Sequence, residues 1–198
     1  MVGFSGEHIV LVDANVWVSR TLRDWVCLLH IHGHGMFTAL WTEDILAETL
    51  HAVRRLYPDL AGGKIAHVRE SIVGTFPDGR VRDFEIDTGQ PIPDPFDRHV
   101  HAAAIAGEVD LLITDNVEDL RPACPADRDS LPYEVYTADE FFMLIADCQP
   151  SVVRDVIRDQ IEYFLEQGIE PNLPAALRRA GTPRFAERVR DLQLGMTF

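Results

Sequence analysis

Cysteine is scarce in this chain. Cys27, Cys124 and Cys148 are the three present, an odd number without Cys-x-x-Cys spacing. That argues against a disulfide framework or a zinc knuckle and suits a reducing cytoplasm. No run approaches the roughly 20 apolar residues that span a bilayer, so no membrane partner is expected. The opening residues MVGFSGEHIVLVD carry no basic stretch and no small-residue cleavage site, so a signal peptide is not expected. Internal repeats and low-complexity tracts are missing too. Positive charge is in deficit: 18 Lys and Arg stand against 32 Asp and Glu, a balance of −14. Phosphate is repelled by such a chain, which excludes nucleic-acid binding by a general basic coat. Chemistry on phosphate remains open if some of the acids hold metal.

What is present is ordinary globular material. The 198 residues are 46% hydrophobic and 25% charged, enough to bury a core without disulfides. Ile9 to Val12 is a continuous apolar run, mostly β-branched, ending in Asp13-Ala14-Asn15 and reads as a buried parallel strand. A helix is expected over about Val16 to Leu29. Its apolar positions include Val18, Leu22, Trp25, Val26 and Leu29, with Trp17 and Trp25 in the core. The His30, His32, Gly33, His34 and Gly35 cluster reads as a solvent-facing break rather than a metal site. Met36 to Trp41 reads as a second strand, and Thr42 as the N-cap of a helix over Glu43 to Leu56. Further helices are expected over Lys64 to Thr75, Asp97 to Gly107, and Thr137 to about Asp147. Val81 to Asp87 reads as an edge strand; Val109 to Thr114 and Glu134 to Tyr136 read as strands. Pro91 to Pro95 cannot be helix interior.

Strands alternate with helices as in an α/β parallel sheet flanked by helices, where ligands sit beyond the carboxyl ends of the strands. From Gln149 on the strand signals stop. Ser151 to Gln167 is amphipathic, with Val152, Val156, Ile157, Ile161, Phe164 and Leu165 on one side; Leu173 to Arg179 and Arg184 to Leu192 are shorter helical patches. Residues 1–147 are therefore expected to form the main domain, and 148–198 a small all-helical extension packed on the core or on a partner.

Four acidic positions can converge on one edge of such a sheet. Asp13 ends the first strand, Glu48 lies on the helix after the second, Asp97 opens the alanine-rich helix, and Asp115, Asn116 and Asp119 follow a later strand. Each has an ordinary alternative: Asp13 as an N-cap, Glu48 on a solvated face, Asp97 as an acid favoured at a helix start. Gathered carboxylates repel unless a hard cation offsets them, and oxygen donors suit Mg²⁺ or Mn²⁺, one or two ions.

The same residues carry a resemblance. Leu11-Val12-Asp13-Ala14-Asn15-Val16-Trp17, Trp41-Thr42-Glu43-Asp44-Ile45-Leu46-Ala47-Glu48, Pro93 to Ala104 around Asp97, and Asp110 to Leu120 resemble, in order, the four motifs of PIN-domain ribonucleases. The closest subgroup is the VapC-like toxins of type II toxin–antitoxin systems. The resemblance covers roughly residues 7 to 147. It implies a PIN-like fold and a metal-dependent endoribonuclease acting on single-stranded or structured RNA. It implies Asp13, Glu48 and Asp97 as ligands, with a fourth acid that is either Asp115, by its place at the strand end, or Asp119, by motif register, and Asn116 as a neutral, water-mediated ligand. Activated water would then cut the phosphodiester, leaving a 5′-phosphate and a 3′-hydroxyl. A cognate small DNA-binding antitoxin is the implied partner, and a homodimer is a further possibility.

Asn15, Ser19 and Thr114 are candidates to orient Asp13 or a bound water; Arg98, His99 and Arg54 are candidates for the RNA backbone, with Arg20 and Arg55 beside them. His99 and His101 fall on opposite sides of their helix and are not a ligand pair. Arg54-Arg55 and Arg178-Arg179 read first as solvated faces, and otherwise as RNA or antitoxin contacts. Two other functions compete. A haloacid-dehalogenase-like phosphotransferase would use Asp13 as nucleophile, but the second acid that it needs is Asn15 here. A non-catalytic RNA- or partner-binding module would leave the acids without purpose.

Overall fold

The computed structural model describes residues 7–86, 97–120 and 131–196, apart from the side chain of Asp119. Four strands, β1 (His8–Val12), β2 (Phe37–Leu40), β3 (Leu111–Ile113) and β4 (Glu134–Tyr136), form one parallel sheet in the order β2-β1-β3-β4. The chain leaves β1 toward β2 on one side and returns to β3 on the other. The crossover direction therefore reverses between β1 and β3, and the crevice above that reversal is where open α/β sheets bind ligands. Val12 pairs with Ile113 in register, so Asp13 and Thr114 leave the sheet side by side.

The expected first helix is two. α1 (Ala14–Val18) is capped by Asp13, and α2 (Arg20–His32) by Ser19. Ser19 has extended backbone angles, and its hydroxyl accepts from the Leu22 N–H, an N-cap device that restarts the helix. Ser19 thus caps α2. Trp17 and Trp25, on different helices, are both in the core. The histidine break is corrected as well: α2 runs through His32. His30 donates to the Phe37 carbonyl at 2.8 Å and packs on the Phe76 ring at 4.6 Å, while His32 meets Asp159 at 2.7 Å.

Thr42 caps α3 (Glu43–Leu56) as expected, its hydroxyl accepting from the Ile45 N–H. α4 (Gly62–Thr75) begins two residues early. The expected edge strand at 81–87 does not form among the described residues. Just before it the chain makes one parallel bridge, Arg80 to Trp41, after the turn at 77–79. At Gly79 an added Cβ would lie 2.2 Å from the Ala39 carbonyl oxygen. Pro91 to Pro95 lies outside the described residues.

α5 (Arg98–Ala106) follows Asp97 and ends at Gly107; a four-residue helix, α6 (Val117–Leu120), follows β3. α7 (Ala138–Cys148) opens with a capping box, in which Thr137 and Glu140 satisfy each other's backbone N–H. The extension is α8 (Pro150–Glu166), α9 (Leu173–Arg179) and α10 (Pro183–Leu194). It packs on the core rather than standing apart. Val153, Val156, Ile157, Leu177, Phe185 and Val189 are fully buried in the same apolar cluster as the sheet, and Phe185 meets Trp25 edge-on at 4.8 Å. Leu165, expected on the buried side, is 58% exposed, while Ile161 and Phe164 on the same helix pack against the core. No helix among the described residues is long and apolar enough to cross a membrane.

Candidate active site

The site is built around Asp13. Its backbone N–H continues the sheet by donating to the Ile113 carbonyl, which fixes the side chain at the strand end. One carboxylate oxygen, Oδ1, accepts from the Ala14 N–H at 2.6 Å and caps α1. The other, Oδ2, accepts from the Thr114 hydroxyl and the Asn15 amide, both at 2.7 Å. Asp13 is only 6% exposed. Burial pushes its carboxyl above the ordinary value, while Thr114, Ala14 and nearby His99 pull it back.

Thr114 relays this arrangement to the next acid. Its Oγ1 also accepts from the Asn116 N–H at 3.0 Å and the Asn15 amide at 2.9 Å. Asn116 then donates through Nδ2 to Asp97 Oδ2 at 3.1 Å. Asp97 stands at the N-cap position of α5 without making a side-chain cap bond; its carboxylate turns toward Asn116 instead. Residues from β1, β3 and the start of α5 are thereby joined in one polar chain, Asp13–Thr114–Asn116–Asp97.

Glu48 reaches the same region from α3. His99 Nε2 lies 3.6 Å from Glu48 Oε1. Burial raises the Glu48 carboxyl first; His99 opposes that, and Asp13 and Asp44 add to it. Asp115 is also raised, by burial and then by Asp13, against the Ala138 backbone N–H that bonds to it. Its own N–H donates to Asn15 Oδ1 at 3.2 Å. Asp119 lies on α6, and its side chain is outside the described part of the structure.

The remaining expectations divide. His99, expected at the RNA backbone, is 13% exposed at its side chain and stands among the acids. His101 is buried on the other side, sharing a 2.6 Å hydrogen bond with the Tyr133 hydroxyl. Arg54 spends its guanidinium on the Pro58 and Leu60 carbonyls at 2.9 and 2.6 Å, closing the loop after α3. Arg20 pairs with Asp24 at 3.5 Å, and Arg98 buries its Nε beside the site. The Ala138 N–H was invisible in the sequence because a backbone donor has no letter of its own. The Thr137–Glu140 pair was the available signal that a helix N-terminus meets this sheet edge.

The sequence over residues 9–118, which supplies the acids at the ends of β1 and β3 and the third acid joined to them, matches the family model described as PIN domain. The chain belongs to the PIN-domain family. No curated protein and no solved structure matches it. The PIN domain is generally a nuclease fold that uses divalent metal ions and binds RNA.

The PIN site's donors fit such an ion in kind. They are hard oxygens, and Asp13 raises the carboxyls of both Glu48 and Asp115, the repulsion that a cation relieves. In spacing the set is open: among the described residues no three of His, Cys, Asp or Glu are gathered closely enough to hold an ion.

Proposed function

We propose that this chain is a Mg²⁺- or Mn²⁺-dependent endoribonuclease of the cytoplasm, the VapC-like toxin of a toxin–antitoxin pair. The polar chain from Asp13 through Thr114 and Asn116 to Asp97 is the observation that carries the reading. Capping α1 needs only the Ala14 N–H bond, whereas the buried Asp13 carboxyl also takes the Thr114 hydroxyl and the Asn15 amide. Asp13, Glu48 and Asp97 are the ligands in this reading, with Asp115, Asn116 and Asp119 beyond them. The ion would lower the pKa of a water and neutralise charge on the scissile phosphodiester. Asp13 is already oriented by Ala14, Asn15 and Thr114. Asn15 donates its amide to Asp13 and offers no acid, which weighs against an aspartyl-phosphate mechanism.

Residues 1–147 form the nuclease domain in this proposal and 148–198 the extension. The cognate partner is a small DNA-binding antitoxin, and the nuclease pairs as a homodimer. The test is cleavage of a panel of tRNA, rRNA and mRNA with Mn²⁺, with EDTA, and by Asp13→Asn. Cleavage abolished by both EDTA and the substitution is expected; cleavage indifferent to EDTA overturns the mechanism. The open spacing of the carboxylates favours a second reading, an RNA-binding PIN scaffold without turnover. Its signature is RNA binding that survives Asp13→Asn in a wild type that cuts nothing on the panel.

A further inference from the structure

The last two helices reverse the charge of the molecule. Residues 173–194 carry Arg178, Arg179, Arg184, Arg188 and Arg190 against only Glu187 and Asp191, in a chain whose balance is −14. Lys64 is the sole lysine, so the positive charge is almost wholly guanidinium, the group whose planar fork matches phosphate. Three of the five arginines are engaged. Arg178 pairs with Glu187, Arg188 with Asp147, and Arg190 with Glu187 at 2.7 Å. Arg179 and Arg184 are exposed and make no ion pair among the described residues.

Their place in the fold is fixed by α7. That helix starts at the carboxyl edge of the sheet, where the Ala138 N–H bonds to Asp115. The next residue, Asp139, is buried and accepts from the backbone N–H groups of Phe185 at 2.9 Å and Arg184 at 3.4 Å. The start of α10 is therefore pinned to the start of α7, beside the acids. Residues 180–182 join α9 to α10, with Thr182 donating back to the Leu177 carbonyl, which brings Arg179 to the same end. Arg188 pairs with Asp147 near the far end of α7, so α10 runs away from the edge, and its later arginines lie farther from the acids.

We propose that Arg179 and Arg184 form a phosphate-binding step on the β4 flank of the acid site, gripping the backbone of single-stranded RNA that extends from it. The inference rests on the ribonuclease reading. An acidic protein that repels phosphate overall needs unpaired cations at the rim of the site, and these two are placed there.

The test measures binding of a short, fluorescein-labelled single-stranded RNA of mixed sequence by anisotropy across a salt series. Full-length Asp13→Asn is the parent, so that the probe stays intact. Adding Arg179→Ala and Arg184→Ala is expected to weaken binding about tenfold or more. The slope of log affinity against log salt should fall by about 1.4, the share of two single-strand phosphates. Arg154→Ala removes an exposed arginine that makes no ion pair among the described residues, near the start of α8 at the opposite end of α7, and is expected to change nothing. All variants should melt with the parent. Unchanged affinity in the double variant overturns the proposal and leaves the ribonuclease reading standing. A parent that binds no RNA, with a wild type that cleaves none, overturns both. RNA affinity retained while a co-purifying acidic protein is lost assigns the surface to a protein partner, and also overturns it.

Discussion

The Thr114 hydroxyl serves three neighbours: it donates to Asp13 and accepts from the Asn116 N–H and the Asn15 amide. Thr114 is fully buried, so removing the oxygen strands polar groups where water cannot replace it. Thr114→Val keeps the shape and deletes the hydroxyl. It is expected to cost about 1–3 kcal/mol in urea unfolding. It should also lower cleavage about 10- to 100-fold, the usual cost of losing a group that orients a metal ligand. Thr114→Ser restores the oxygen and should recover most of both. A valine variant as active as wild type would remove Thr114 from the positioning of Asp13. His99 illustrates the limit of sequence at this scale. Its neighbour Asp97 named the region, yet contact with Glu48 depends on how α5 meets α3, which spacing along one helix does not encode.

Elements were legible where local chemistry decides them. Thr42 and Thr137 announce helices because a side-chain oxygen at an N-cap is a local event, and β1 announces itself by its continuous apolar run. The split between α1 and α2 was missed because Val18 and Leu22 keep helical spacing across Ser19, so periodicity alone cannot see a restart. Among the described residues the expected 81–87 strand is reduced to the single bridge of Arg80 with Trp41, beside the close approach of Gly79 to Ala39. Gly79→Ala is accordingly expected to destabilise the fold by about 1–3 kcal/mol, read as a lowered Tm; an unchanged Tm would show that the turn can retreat from β2. The joint between α7 and α10 was equally hidden. α10 has no side-chain cap of its own from Thr182, and Asp139, 46 positions away, fills the role. Asp139→Ala should cost about 0.5–2 kcal/mol and Asp139→Asn less, measured by denaturant unfolding. Equal stability of all three would mean that the Asp139 joint does not help to hold the extension.

The acidity of the whole molecule has a consequence for its stability as pH changes. Burial raises the carboxyls of Asp13, Glu48 and Asp115 above their ordinary values, with Asp13 adding to the other two. Between the unfolded values, about 4, and those raised folded values, the native state holds protons that the unfolded chain has released. Stability without divalent ions should therefore fall as pH rises through that window and level off above it. A bound cation reverses the penalty, since it binds the ionised carboxylates of the native state only. Its stabilisation should be small near pH 4, where protons compete, and full near neutrality. At a hundredfold excess over Kd it amounts to about 2.7 kcal/mol, or roughly 5–10 °C in Tm for a chain of this size. Thermal melts in EDTA and in saturating Mn²⁺ across that pH range measure both trends. A metal-induced shift that grows as pH falls, or none at pH 7, would mean that the acids gathered at the ends of β1 and β3 do not hold an ion together.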